Sequence, residues 1–325
     1  MNLKSVIYKK IEFNPQRKNG EEFIHLAFGV DKYFIPPLGI FLTSIALQNR
    51  EQCIYCHIFC NSIEEDDLKK IKKFVSCYPN ITICLYYIDD KVFQCLDVTR
   101  GYTLAIYNRI IIAEILYPQV KAVLYLDSDM LCVGKINAIE NVDISEYIFS
   151  AVLDKNDSLD FHKKEIGLKQ SDNYFNSGVL YINLKNWQKY NLSQKMIDLL
   201  SKKNFAYPDQ DALNLLAGKL AGQLPEKYNE FYLMNIKGII PNDTIFIHFA
   251  GAQKPWHKWC THEMQVEMFE YYKQQSLWNN WQYHPFRYWE FRKLAKYYRK
   301  QGEYYKGMKN YFIYSIRRIS EKLKK

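Results

Sequence analysis

The residues Tyr125-Leu126-Asp127-Ser128-Asp129 end an apolar run in two carboxylates spaced by one position. Side chains at i and i+2 of an extended segment face the same way, so Asp127 and Asp129 can share one divalent cation. Oxygen ligands favour Mg²⁺ or Mn²⁺ over zinc, and such ions complete their shells with phosphate oxygens. The step they assist best is departure of a diphosphate, whose growing charge they neutralise. Acidic pairs on turns are common, and the apolar strand ahead of this one is what distinguishes it from a solvated loop. Farther on, Ile245-Phe246-Ile247-His248-Phe249 puts a histidine just ahead of Gly251-Ala252-Gln253-Lys254-Pro255-Trp256-His257. A lone histidine on an apolar strand is more often a core residue. Here a neutral imidazole offers a third ligand to the same ion, and Lys254, beside a glycine turn, can reach diphosphate oxygens as a point charge.

These side chains need a scaffold that presents strand ends to one place. Apolar runs at 24–30, 54–60, 81–88 and 122–126 read as core strands. Between them, 36–49 opens with two prolines suited to a first helical turn, 64–77 is amphipathic, and 102–117 reads as a helix stopped by Pro118. Strand and helix alternate, which predicts an α/β fold on a parallel sheet. The alternation then loosens, with strands expected at 148–153, 178–184 and 244–249 and helices at 193–203 and 209–216. Past 265 the chain turns helical, aromatic and basic. The expected organisation is an N-terminal extension over 1–22, a single α/β catalytic domain over 23–270, and a helical tail over 271–325.

With 325 residues, 48% hydrophobic and 24% charged, the chain can bury a sizeable core and is no disordered polymer. The longest apolar stretch, 104–116, is interrupted by Asn108, Arg109 and Glu114 and is too short to span ~30 Å of hydrocarbon. Residues 1–10 lack the apolar core of a secretion signal, so a cytoplasmic location is expected and the eight cysteines are read as reduced. Cys53 and Cys56 form a C-x-x-C with no second pair at finger spacing. The basicity is a tail property: residues 285–325 hold thirteen Lys and Arg against three Glu, a net of +10 in a chain whose total is +9. Eleven aromatics interleave with those cations, a mixture suited to an anionic membrane surface. A nucleic-acid-binding tail would share that composition, but the near-neutral remainder argues against nucleic acid as a partner. Haloacid dehalogenase-like phosphatases also end a strand in Asp-x-Asp around Mg²⁺, yet on their first strand and followed by Gly-Thr or a similar pair. Met130-Leu131 follow here.

In order along the chain, Phe28-Gly29-Val30-Asp31, Tyr107-Asn108-Arg109, the Asp127-Ser128-Asp129 segment, Phe175-Asn176-Ser177-Gly178-Val179, Asp209-Gln210-Asp211 and the His248–His257 segment are present. This set resembles glycosyltransferase family 8, and more narrowly its bacterial lipopolysaccharide core α-glucosyl- and α-galactosyltransferases. The resemblance runs from about 24 to 260, and the basic aromatic tail looks like that group's membrane-associating C-terminus. It implies a GT-A, Rossmann-like nucleotide-sugar-binding fold, a UDP-hexose donor, Mn²⁺ or Mg²⁺, retention of anomeric configuration, and a lipopolysaccharide core or related glycolipid acceptor. The location implied is peripheral, on the inner face of the cell membrane. By the same resemblance Asp127, Asp129 and His248 hold the metal, and Phe28, Gly29, Val30 and Asp31 meet the uracil or ribose. Ser128 and Gly251 border the donor, while Arg109 serves the donor sugar and Lys254 the diphosphate. Asp154, Asn176, Asp209 and Gln210 line the sugar pocket, with Gln210 where a retaining enzyme keeps a nucleophile. An amide is a poor nucleophile, so front-face substitution, with Gln210 stabilising charge at the anomeric carbon, is the expected course. Each position also has a bland reading: Asp31 as a strand end, Arg109 as a salt-bridged helix residue, Asn176 as a turn former, Asp209 as a helix cap. His25, His57 and His162 are read as structural or exposed, and Trp256, His257 and Trp259 as a buried lid or a sugar-stacking surface.

Overall fold

A computed structural model describes residues 3–14, 22–96, 98, 103–155, 158–231 and 238–323. In chain order its strands are β1 (Ile7–Phe13), β2 (Ile24–Val30), β3 (Ile54–Cys60), β4 (Ile81–Ile88), β5 (Ala122–Leu126), β6 (Met130–Cys132), β7 (Phe149–Leu153), β8 (Phe175–Asn183), β9 (Ala221–Gln223) and β10 (Phe246–His248). The helices are α1 (Ile35–Gln48), α2 (Glu65–Cys77), α3 (Asn108–Leu116), α4 (Leu159–Ile166), α5 (Leu184–Lys189), α6 (Leu192–Leu200), α7 (Pro208–Ala217), α8 (Glu263–Gln275), α9 (Tyr288–Lys300) and α10 (Tyr304–Leu323).

Among the described residues, eight strands form one sheet in the order β1-β4-β3-β2-β5-β8-β7-β9, and β6 pairs with β10 in a second. β4, β3, β2 and β5 run parallel. β3 and β4 are buried at every position, as expected of strands covered on both faces and built almost wholly of apolar residues. β2 comes first of the four in the chain yet lies between β3 and β5, so the winding reverses at the β2–β5 boundary. Open α/β sheets leave a crevice at the carboxyl ends of the strands flanking such a reversal. Asp31 follows β2 and Asp127 follows β5, so both open into that crevice.

The expected parallel arrangement holds for these four strands and recurs where β7 pairs with β9, but the rest of the sheet is mixed. β8 runs antiparallel to β5, β7 antiparallel to β8, and β1 antiparallel to β4. A parallel neighbour needs a crossover over the sheet. The segment between β7 and β8 carries only the eight-residue α4 and returns the chain beside its neighbour in the opposite sense. The expected helix over 102–117 is also shortened: Leu104–Tyr107 is a 3-10 turn, the α-helix starts at Asn108, and Tyr102 lies outside the described residues.

β1, within the expected N-terminal extension, adds an edge strand to β4. At the other end, α8 packs along α1, with Gln48 Nε2 donating to the Tyr272 hydroxyl at 3.1 Å. Trp278 is fully buried over Gly39, where a Cβ would come within 2.4 Å of the indole, and its Nε1 donates to Asp67 Oδ1 at 2.7 Å. Removing a ring so enclosed costs about 3–5 kcal/mol, so this one contact firmly ties the segment after α8 to the sheet domain. α9 and α10 form an antiparallel pair, closed by Arg317, which donates from Nη1 to Phe286 O at 2.8 Å.

Candidate active site

The crevice is a cleft of about 680 Å³. The ladder between β6 and β10 sets its centre: His248 pairs with Met130, and the Phe249 N–H donates to Asp129 O at 2.9 Å. His248 is thereby delivered one position from the acidic pair, although 118 residues separate His248 from Met130 in the chain. One ligand atom from each of Asp127, Asp129 and His248 lies within 4.8 Å of the others. His248 can stand this close because residue 178 is glycine; a Cβ there would sit 2.5 Å from His248 Cε1.

The electrostatics suit a cation. Asp127 Oδ1 accepts from Arg109 Nη2 and from the Tyr125 hydroxyl, both at 2.8 Å, which leaves Oδ2 for a ligand. Burial pushes the Asp127 carboxyl above the usual aspartate range, and the like charge of Asp129 adds to this against the pull of Arg109 and His248. A quarter of its side chain still faces the cleft. Burial acts on Asp129 in the same direction, but Lys254, joined by His248 when that ring carries a proton on Nε2, outweighs it and holds the carboxyl well below the usual range. The Lys254 ammonium is bonded to Asp129 Oδ2 and donates to Phe249 O at 2.8 Å. His248 Nε2 faces Asp129 Oδ1 at 3.5 Å. Two carboxylates and an imidazole converge on one point, with Arg109 beside Asp127 and Lys254 beside Asp129, and that set of oxygen and nitrogen donors fits a hard divalent ion.

Beside the trio lies a pocket of amides and carboxylates. Arg109, 4% exposed, bridges Asp127 to Asp209 Oδ2 at 2.8 Å and donates to Ser177 O at 2.7 Å and Ile106 O at 3.1 Å. Its donors therefore go to protein acceptors, and it braces two carboxylates instead of reaching openly into the cleft. Gln210 is held at both ends, its Oε1 accepting the Ser177 N–H at 2.9 Å and its Nε2 donating to Asp154 Oδ2 at 3.0 Å. Asn176 Nδ2 meets the same carboxylate oxygen at 3.2 Å. Asp209 lies in the first turn of α7 and also accepts from the Ser177 hydroxyl at 3.1 Å.

Of the residues singled out from the sequence, Gly29, Val30, Asp31, Arg109, Asp127, Ser128, Asp129, Asp154, Asn176, Asp209, Gln210, His248, Gly251 and Lys254 all line this cleft. Phe28 does not; its ring packs edge-on against Phe41 in the core. The Asp31 carboxylate is occupied by the N–H groups of Tyr33 and Phe34 at 2.9 and 3.2 Å and by the Thr103 hydroxyl at 2.8 Å, so it shapes the turn after β2. His257 lines the cleft stacked on Trp259, and burial, with Lys254 and Arg287 nearby, lowers it to about 3, which keeps the ring neutral. His162 also lines the cleft, hydrogen-bonded to the fully buried Asp211 at 2.7 Å. Sequence reasoning missed Asn229, whose Oδ1 lies 2.9 Å from His248 Nδ1, and missed Tyr283, Arg287 and Trp289, which extend the cleft wall from the tail. No local signal marks Asn229, which sits in an aperiodic connection.

Residues 25–260 match the profile of Glycosyl transferase family 8. The chain belongs to that family. The matched span runs from β2 through β10 and includes the whole trio and the Asp154–Gln210 pocket. The lipopolysaccharide 1,3-galactosyltransferase of Salmonella typhimurium is 28% identical over 97% of each chain. The lipopolysaccharide glucosyltransferase WaaO of Escherichia coli K12 is 31% identical over 95% of each. A solved structure of the galactosyltransferase LgtC in complex with donor and acceptor sugar analogues superposes with a TM-score of 0.65 at 21% identity, covering 78% of this chain and 96% of that one. That likeness is one of fold, and it gives this family 8 glycosyltransferase the expected GT-A architecture with a helical C-terminal region.

Proposed function

We infer that this family 8 glycosyltransferase is a retaining hexosyltransferase that moves glucose or galactose from a UDP-sugar to a lipopolysaccharide core acceptor, with Mn²⁺ or Mg²⁺ held by Asp127, Asp129 and His248. The observation that carries the reading is the meeting of those three side chains beside the Asp154–Asn176–Gln210 pocket, at the strand reversal where nucleotides bind such sheets. The acceptor class is supported by the two relatives above, each named for lipopolysaccharide transfer.

The bound ion would draw charge from the departing diphosphate. Lys254, on a flexible stem, can transfer its ammonium from Asp129 to the same phosphate oxygens, and the backbone turn Gly29-Val30-Asp31 borders the nucleoside. Asp154, Asn176 and Asp209 present acceptors and donors to sugar hydroxyls. The Gln210 amide is held by Ser177 and Asp154, which suits it to stabilise positive charge at the anomeric carbon and not to attack it. In a front-face reaction the acceptor hydroxyl attacks from the leaving-group side and its proton passes to the departing diphosphate oxygen.

The tail supports a peripheral location at an anionic membrane. Tyr304, Tyr305, Met308, Tyr311, Phe312, Ile316 and Ile319 are exposed on α10 at spacings that put them on one helical face, flanked by Lys306, Lys309 and Arg318. No described helix is long and apolar enough to cross a membrane. A panel of UDP-sugars scored for release of UDP tests the whole reading. Release from UDP-glucose or UDP-galactose that needs Mn²⁺ or Mg²⁺ is expected, and equal release in excess chelator would refute it.

A further inference from the structure

Asn229 lies outside every motif, yet it stands between the two halves of the site. It follows a one-turn 3-10 helix, Glu226–Tyr228, and is 2% exposed. The backbone pins it beside β10: the Glu230 N–H donates to Phe246 O and the His248 N–H donates to Glu230 O, both at 2.9 Å. Its side chain touches His248 Nδ1 with Oδ1 and Asn176 Oδ1 with Nδ2, each at 2.9 Å.

The orientation of that amide follows from its neighbours. Asn176 Oδ1 accepts the Gly178 N–H at 3.0 Å, while Asn176 Nδ2 faces an oxygen of Asp154 at 3.2 Å. The Gly178 N–H can only donate, so Asn176 must turn its oxygen toward Gly178 and Asn229 and its nitrogen to Asp154. Asn229 then offers Nδ2 to Asn176 and is left with Oδ1 for His248. An acceptor opposite Nδ1 requires the hydrogen to be on Nδ1. In the neutral ring this leaves the lone pair on Nε2, which faces Asp129 Oδ1 at 3.5 Å. Two acceptors then confront each other with no proton between them, and a cation satisfies both.

We propose that Asn229 is a positioning residue that holds His248 as the Nδ1–H tautomer, so that Nε2 is presented to the metal. Through Asn176 and Asp154 the same amide ties the metal centre to Gln210 in the sugar pocket. The competing state is specific: with hydrogen on Nε2, His248 donates to Asp129 and closes the site on itself. Gly178 is part of the device, because a Cβ there would stand 2.9 Å from Nδ1. Outer partners of this kind typically change metal affinity about 10–100-fold.

The inference rests on the trio being the metal site, and the test separates the two. Asn229→Leu removes both hydrogen bonds; Asn229→Asp keeps an acceptor for Nδ1–H and loses the donor to Asn176. Mn²⁺ binding to the substrate-free protein is followed by electron paramagnetic resonance. The tautomer is read from ¹⁵N spectra of histidine-labelled protein at about pH 8, above the usual imidazole range, with the His248 signals assigned by their absence in His248→Gln. The wild type is expected to carry hydrogen on His248 Nδ1. Asn229→Leu should bind Mn²⁺ about 10–100-fold more weakly and move the hydrogen to Nε2. Asn229→Asp should bind Mn²⁺ as the wild type does, yet release UDP more slowly at saturating Mn²⁺. Hydrogen on Nε2 in the wild type, or full Mn²⁺ affinity in the Asn229→Leu protein, overturns the role of Asn229 and leaves the trio standing. A wild type that binds no Mn²⁺ overturns both. If Asn229→Leu does not fold, the wild-type tautomer and the Asn229→Asp titration decide the matter alone.

Discussion

Replacing Arg109 by methionine should destabilise the protein more than any exposed charge change, and in a pH-dependent way. Its guanidinium is 4% exposed and lies 2.8 Å from both Asp127 and Asp209, whose side chains are 25% and 8% exposed. Methionine matches much of the stem volume, so packing is largely kept and the loss is electrostatic. Removing one member of a buried ion pair leaves the other charge uncompensated and costs about 3–5 kcal/mol. In a chain of this size that lowers the melting temperature by roughly 4–7 °C. The sign of the pH effect follows from Asp127, whose carboxyl is already raised by burial and loses the cation that opposes the rise. A carboxyl raised in the folded state costs stability above its folded value and costs nothing below the unfolded one. The gap between variant and wild type should therefore be widest at neutral pH and narrow as the pH falls toward the aspartate range. Thermal unfolding followed by circular dichroism at a series of pH values measures this. A loss under about 1 kcal/mol, the range of an exposed pair, or a gap that ignores pH, would refute the reasoning.

Asp129→Asn should lower UDP release by about 10²–10³-fold while circular dichroism shows an intact fold, since one charge-stabilising group is lost. Turnover near that of the wild type would remove Asp129 from the metal site. Gly178→Ala places a methyl 2.5 Å from His248 Cε1. It should cost about 1–3 kcal/mol of stability and weaken Mn²⁺ binding, and unchanged Mn²⁺ affinity would show that the ring is not wedged there. The double substitution Tyr305→Glu with Phe312→Glu puts two charges into the exposed face of α10. Flotation with vesicles containing anionic lipid should fall while transfer to a soluble acceptor persists, and equal flotation would exclude that face from lipid binding.

The runs 24–30, 54–60, 81–88 and 122–126 were legible because a strand covered on both faces is apolar at nearly every position, and each appears with those bounds. The candidate metal trio was legible for a related reason. A strand that ends in Asp-Ser-Asp, and a histidine on another apolar run, are local patterns whose chemistry requires company. Periodicity, however, says which way a side chain faces and not which distant segment it meets. The two roles of Arg109 on the cleft wall, reaching a donor sugar or bracing two carboxylates, look the same in Tyr107-Asn108-Arg109. Only the approach of Asp127 and Asp209 to one guanidinium separates them.

By itself, then, the order of apolar runs and carboxylates determined an α/β fold with a candidate divalent-cation site, because burial and ligand chemistry are written in residue types; the nucleotide-sugar fold came from the resemblance of the ordered motif set to family 8. The direction of β8, the seating of Trp278 on Gly39, and the contact of Asn229 with His248 were decided by the tertiary structure. Each joins segments far apart in the chain, and such meetings depend on the shape and free hydrogen-bonding groups that remain once the sheet has formed.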